Sequence, residues 1–219
     1  MPAGIDKLTS LQTLSLFVAS KKPVATGGLR ELTNLNNLRG NLEILHLEQV
    51  KFSPSNDTAK DAFLKNKEHL QHLTLRWDHD DDQEKSEEKK NSTTTPEFFD
   101  SLKELTISDC PNLRSWWKND EILKNNRPSF TCISKLTIRC CPKLECMPLC
   151  TDLDEELVLV DSKVRSMRET EALLLPLSKL KSMVIELIEE SPPQSWLKDF
   201  TSLEELHIRY CSNLKSLPQ

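Results

Sequence analysis

Glycine is scarce in this chain. There are four in 219 residues, and Gly27-Gly28 is the only adjacent pair. None belongs to a G-x-x-x-x-G-K-[S/T] pattern, so the backbone cradle and the lysine that hold a nucleotide's phosphates are both missing. G-x-S-x-G is absent too, and the five histidines are scattered, which leaves no hydrolase triad to assemble. No stretch approaches the roughly 20 apolar residues of a membrane span. The opening MPAGIDKLTSLQ lacks a basic-then-apolar leader. Positive charge is not in excess: 29 Lys and Arg against 34 Asp and Glu give a net charge of −5, so electrostatics offer no general reason to bind nucleic acid. Together these absences point to a non-enzymatic chain without a cofactor, a membrane span or a nucleic-acid partner.

What is present is a repeat. An L-x-L core recurs eight times, centred on Leu14-Leu16, Leu45-Leu47, Leu73-Leu75, Leu105-Ile107, Leu136-Ile138, Leu157-Leu159, Met183-Ile185 and Leu206-Ile208. The first members lie 31, 28, 32, 31, 21, 26 and 23 residues apart, so the core is constant and the connecting arc is not. Repeats of this length with this core signal a leucine-rich-repeat solenoid. Side chains alternate across a strand, so each pair of apolar residues faces inward and the residue between them faces out. A single repeat cannot bury its own apolar face, and stability comes from stacking. The fold class expected is therefore α/β: a curved horseshoe with a concave parallel sheet of about eight short strands and irregular convex arcs, over one domain at 1–219.

Cys110, Cys141 and Cys211 share one column, three residues after the last inward position. A free cysteine is small and readily buried, which suits the turn that leaves the strand. Pro111 and Pro142 follow where the strand has ended and a missing N–H costs little. All three cysteines are expected to be buried free thiols. The total of seven cysteines is odd, and a reducing compartment is the simpler setting. Cys140, Cys141, Cys146 and Cys150 form the densest thiol cluster, but only Cys146 and Cys150 loosely fit zinc spacing, so packing is favoured over a metal site.

The arc from Asn56 to Leu70 has the pattern of an amphipathic helix with Ala59, Ala62, Phe63 and Leu70 on one face. Shorter helical turns are expected near Glu121–Asn125, Glu169–Leu175 and Ser195–Phe200. Residues 78–95 hold the acidic run DHDDDQEKSEEKK followed by serine and threonines. This segment cannot bury apolar surface and is expected to be a mobile insertion.

Outward positions can be read from the same alternation. The first outward column holds Ser15, His46, Thr74, Thr106, Thr137, Val158, Val184 and His207. The second holds Phe17, Glu48, Arg76, Ser108, Arg139, Val160, Glu186 and Arg209. Trp77 and Tyr210 follow two of these arginines. Arginine and aromatic side chains are over-represented among interface hot spots. The expected protein-binding residues are therefore Arg76, Trp77, Arg139, His207, Arg209 and Tyr210.

The ordered series GIDKLTSLQTLSLFV, LRELTNLNNLRGNLEILHLEQV, KNKEHLQHLTLRW, CPNLRSWW and TSLEELHIRYCSNLKSLP resembles the repeat region of plant nucleotide-binding leucine-rich-repeat (NLR) disease-resistance receptors. The match is closest to their coiled-coil-bearing branch. The resemblance covers nearly the whole chain and implies an intracellular, cytoplasmic setting. It implies a module that recognises a pathogen effector or a guarded host protein and holds the receptor's switch domain inactive. That switch domain, with its P-loop, is not in this sequence, which is accordingly expected to be a piece of a larger receptor. A free-standing adaptor or decoy, or the substrate receptor of a ubiquitin ligase, are the alternative readings.

Overall fold

The computed structural model describes residues 4–19, 28–49, 64, 66–77, 101–113, 130–144, 150–162, 177–188 and 200–212. Each apolar core forms a short strand: β1 (Leu16–Val18), β2 (Arg39–Leu45), β3 (His69–Arg76), β4 (Glu104–Ser108), β5 (Lys135–Cys141), β6 (Glu156–Ser162), β7 (Ser182–Glu186) and β8 (Glu205–Arg209). They pair in chain order, β1 to β8, in one parallel sheet. This is the α/β leucine-rich-repeat solenoid expected. The helical elements among the described residues are 3-10 turns at Ile5–Lys7, Leu29–Leu32, Leu47–Gln49 and Leu177–Lys179.

From β3 onward the inward pairs are those expected. Leu73, Leu105, Leu136, Leu157 and Met183 lie side by side in register, as do Leu75, Ile107, Ile138, Leu159 and Ile185. All are buried in one continuous apolar core. Strands buried on one side by stacked neighbours need only this inward half to be apolar.

The first two repeats depart from the expected register. In β2 the inward pair is Leu42 and Ile44, opposite Leu73 and Leu75, while Leu45 faces out. The segment LEILHL carries two overlapping alternations of opposite parity, and a one-residue slip exchanges the faces of a strand. His46 then takes a left-handed conformation (φ 61°), which resets the parity and returns Leu47 to the core. Counted from Leu42, the step to Leu73 is 31 residues, like its neighbours. In β1, Phe17 is 0% exposed and Leu16 is 40% exposed, because Phe17 pairs with Ile44 and Leu16 with Glu43. Phe17 therefore belongs inside, not in the outward column, and Leu14 is only partly buried against the core.

Gly40 also has a left-handed backbone (φ 74°), at the point where the β2–β3 register shifts by one residue. The space around it is open, so backbone conformation rather than crowding favours glycine here.

The end of the expected 56–70 helix is corrected. Asn66 and Glu68 lie in turns, and His69 and Leu70 already belong to β3. The rest of that helix, the turns near 121–125, 169–175 and 195–199, Trp116-Trp117 and the 78–95 insertion lie outside the described residues. Lys67, just before β3, is 2% exposed and donates a hydrogen bond from Nζ to the Leu32 carbonyl at 2.7 Å. It ties the third repeat to the 3-10 turn of the second. Burial pushes its ammonium down to about 8.

Candidate protein-binding face

The strand exits repeat one local device. Asp109, Cys140, Asp161, Leu187 and Tyr210 all have positive φ, between 46° and 61°. The residue after each turns inward. Where that residue is small and carries a donor, it reaches back to the carbonyl two residues earlier. Cys110 Sγ donates to Ser108 O (3.3 Å), Cys141 Sγ to Arg139 O (3.1 Å), Ser162 Oγ to Val160 O (2.9 Å) and Cys211 Sγ to Arg209 O (3.3 Å). The cysteine column is thus a donor column, and Ser162 is its member in β6. After it, Cys-Pro-x-Leu forms a turn with Leu113 N on Cys110 O and Leu144 N on Cys141 O, and proline suits the second position of such a turn. Cys110 and Cys141 are buried free thiols as expected, and burial holds the Cys110 thiol far above its ordinary value. Cys211 is free but only partly buried.

The device fixes where each strand's outward side chains end. The second outward column runs Leu45, Arg76, Ser108, Arg139, Val160, Glu186 and Arg209; from Arg76 onward these are direct register partners. The first runs Leu16, Glu43, Thr74, Thr106, Thr137, Val158, Val184 and His207 across all eight strands. His46 and Glu48 are not in these columns: His46 is the left-handed turn residue and Glu48 lies in the 3-10 turn after it. Their side chains pair at 3.2 Å.

Five of the six expected site residues present themselves on this side of the sheet. Arg76, Arg139 and Arg209 are exposed in one column, and His207 is exposed in the other. Tyr210 is 80% exposed on the left-handed turn after Arg209. Trp77 does not join them. Its N–H bonds Ser108 O, it has no left-handed turn, and it continues the inward parity of Leu73 and Leu75. At 9% exposure it belongs to the core. The expectation failed because exit turns differ between repeats, and β3 ends by prolonging the strand's alternation rather than by a left-handed kink.

Charges on the face are partly self-neutralised. Arg76 Nε lies 3.3 Å from Asp109 Oδ2, and Arg209 Nη1 donates to Glu186 Oε1 at 3.1 Å. On the rim where the strands begin, His72 Nδ1 sits 2.7 Å from Glu104 Oε2, and Lys135 Nζ is 3.4 Å from both Glu104 and Glu155. Burial alone would raise the Glu104 carboxyl, but His72 and Lys135 together hold it below the usual range. Glu104 and Glu155 in turn raise Lys135. Arg139 has no carboxylate within ion-pair distance among the described residues. Leu187, 50% exposed, was missed by sequence reasoning: it holds the left-handed position next to Tyr210, where parity alone puts no special residue.

Among the described residues no group of three or more His, Cys, Asp or Glu side chains is arranged to hold a metal ion. Cys140 and Cys141, adjacent in sequence, point to different sides: one is half-exposed at the turn, the other buried. No described helix is long and apolar enough to cross a membrane.

A family profile described as R13L1/DRL21 leucine-rich repeats matches residues 29–163. The chain is 30% identical over 224 aligned residues to RGA4 of Solanum bulbocastanum, described as a disease resistance protein, covering 96% of this chain and 21% of that one. A disease resistance protein of Arabidopsis thaliana is 48% identical over 68 residues, 31% of this chain and 4% of its own length. The chain thus spans about a fifth of the first of these relatives. No solved structure matches. With the parallel eight-strand sheet, the donor column and these matches together, the chain belongs to the R13L1/DRL21 leucine-rich-repeat family and is a repeat region of the plant NLR disease-resistance type.

Proposed function

We propose that this chain is the protein-recognition module of a cytoplasmic disease-resistance receptor of the coiled-coil-bearing branch. It senses a pathogen effector, directly or through a guarded host protein, and holds the receptor's switch domain inactive until then. It binds no cofactor and catalyses no reaction of its own. The observation that carries this reading is the register column: parallel pairing sets Arg76, Arg139 and Arg209 on one line of outward positions. Parallel strands lie about 4.8 Å apart, so the arginines, on β3, β5 and β8, stand about two and then three strand spacings apart along a line that faces an extended or convex partner surface. Arg209 and Tyr210 add an arginine and an aromatic at one end, the residue types that dominate interface energies. The names of the disease-resistance relatives agree with such a role.

Photo-crosslinking in the full receptor tests it. A photoreactive residue at Thr106 or Thr137, on the outward face, is expected to crosslink to the effector, the guarded protein or the switch domain. The same residue at Lys179, in a 3-10 turn away from the sheet face, is expected not to. Crosslinks from Lys179 alone would overturn the placement.

A further inference from the structure

The three arginines of the column are not equivalent. Arg76 is engaged by Asp109 and Arg209 by Glu186, both from this chain. Arg139 is exposed, and among the described residues no carboxylate neutralises it. A cation left unpaired on a sheet face rimmed by internal ion pairs is complementary to an acid supplied from outside.

Its surroundings are specific. On one side in register stands Ser108, and Thr106 and Thr137 occupy the neighbouring column, so three hydroxyl-bearing residues hold positions adjoining Arg139. On the other side the register runs Arg139, Val160, Glu186. Val160 is short between two long side chains, which stand two strand spacings apart, about 9.6 Å. Val158 and Val184 continue the apolar strip beneath. Val158 and Val160 face outward and are not part of the inner core cluster, but at 6% and 8% exposure this chain already covers most of their surface. Glu186 is already held by Arg209. Among the described residues Arg139 is thus the charged member of this column that no internal partner compensates, with hydroxyl-bearing neighbours on one flank and valines on the other.

We propose that Arg139 is the principal anchor for the partner on this face, and that the partner is an extended protein segment that places a carboxylate against its guanidinium. This rests on the concave face being the recognition surface. Arg76 and Arg209 then act mainly as positioned members of internal ion pairs, and Arg139 is the residue that selects the partner's charge.

The probe is a random 12-residue peptide library displayed on phage, selected in parallel on the full chain and on its Arg139→Glu variant. Selection on the natural chain is expected to enrich peptides that carry an acidic residue. The best peptides should lose at least tenfold in affinity on Arg139→Ala and less than threefold on Arg76→Ala or Arg209→Ala. Arg139→Glu should replace the acid in the enriched peptides by Lys or Arg. Thermal melts matching the natural chain show that the variants are folded. Enriched peptides without an acid, peptides indifferent to Arg139→Ala, or no enrichment at all would overturn the proposal. Photo-crosslinking of the enriched peptides separates the two readings. Peptides that map to the outward columns but ignore Arg139 sink this inference alone, whereas peptides that map only to the turns beyond the sheet sink the recognition face itself.

Discussion

Replacing Cys141 separates the two roles assigned to the donor column, packing and hydrogen bonding. Its side chain is completely buried, and its thiol reaches Arg139 O at 3.1 Å. That carbonyl also accepts the Asp109 N–H at 3.0 Å, so it keeps one partner when the thiol is removed. The hydrogen bond is therefore worth a modest amount, about 0.5–1.5 kcal/mol and nearer the lower end for a thiol. Cys141→Ala loses that bond and leaves a small void, for a total near 1–2 kcal/mol. Cys141→Ser restores a donor of the kind Ser162 already supplies one strand away, and should fall within about 1 kcal/mol of the natural chain. Cys141→Asp buries an unpaired charge beneath the turn and should cost several kcal/mol, of the order of 3–5. The same Asp at Cys211, only partly buried, should cost clearly less. Urea denaturation followed by far-ultraviolet circular dichroism measures each midpoint at constant slope. Equal losses for Ser and Ala would remove the hydrogen bond from the account. An Asp variant within 1 kcal/mol of the natural chain would show that the column is not the buried support of the exit turn.

Lys67 makes stability depend on pH in an unusual direction. Its ammonium is lowered from 10.5 to about 8 on folding, so between pH 8 and 10.5 the unfolded chain holds a proton that the folded chain has released. Stability should rise through that window by up to about 3 kcal/mol relative to Lys67→Met, and the two should run parallel below pH 7; a constant difference across the window would show that Lys67 titrates normally. Gly40→Ala should cost about 1–2 kcal/mol, because alanine must adopt a left-handed backbone where no crowding opposes it; an unchanged urea midpoint would mean the bulge relaxes. Removing 78–95 should leave the melting temperature nearly unchanged, since the segment has little to bury and loop length carries a small entropic cost; a large loss would show that it packs.

The strength of the signal varied along the chain for physical reasons. From β3 onward the inward pairs and the outward arginines followed from alternation, whereas the cysteine column followed from its recurrence three residues after the core, where alternation alone would turn it outward. In β2, LEILHL supports two parities, and only pairing with β3 chooses Leu42 and Ile44. In β1 the same choice puts Phe17 inside. Trp77 was misplaced because its exposure depends on whether the chain kinks at that residue, a backbone property that side-chain pattern does not carry. The left-handed turn residues are Asp, His, Cys, Leu and Tyr, a set without a shared chemistry, so Leu187 could not be singled out. The ion pairs that engage Arg76 and Arg209 but not Arg139 depend on register across strands and were equally out of reach.

The central claim, that recognition uses the outward face of the sheet, is tested most directly by Arg139→Ala combined with Tyr210→Ala in the full receptor. Both side chains are exposed, so each loss should change stability by no more than about 0.5 kcal/mol. The account predicts that the defence response to the matching effector disappears while the receptor accumulates to its usual level. A full response from the double variant at normal abundance would contradict it.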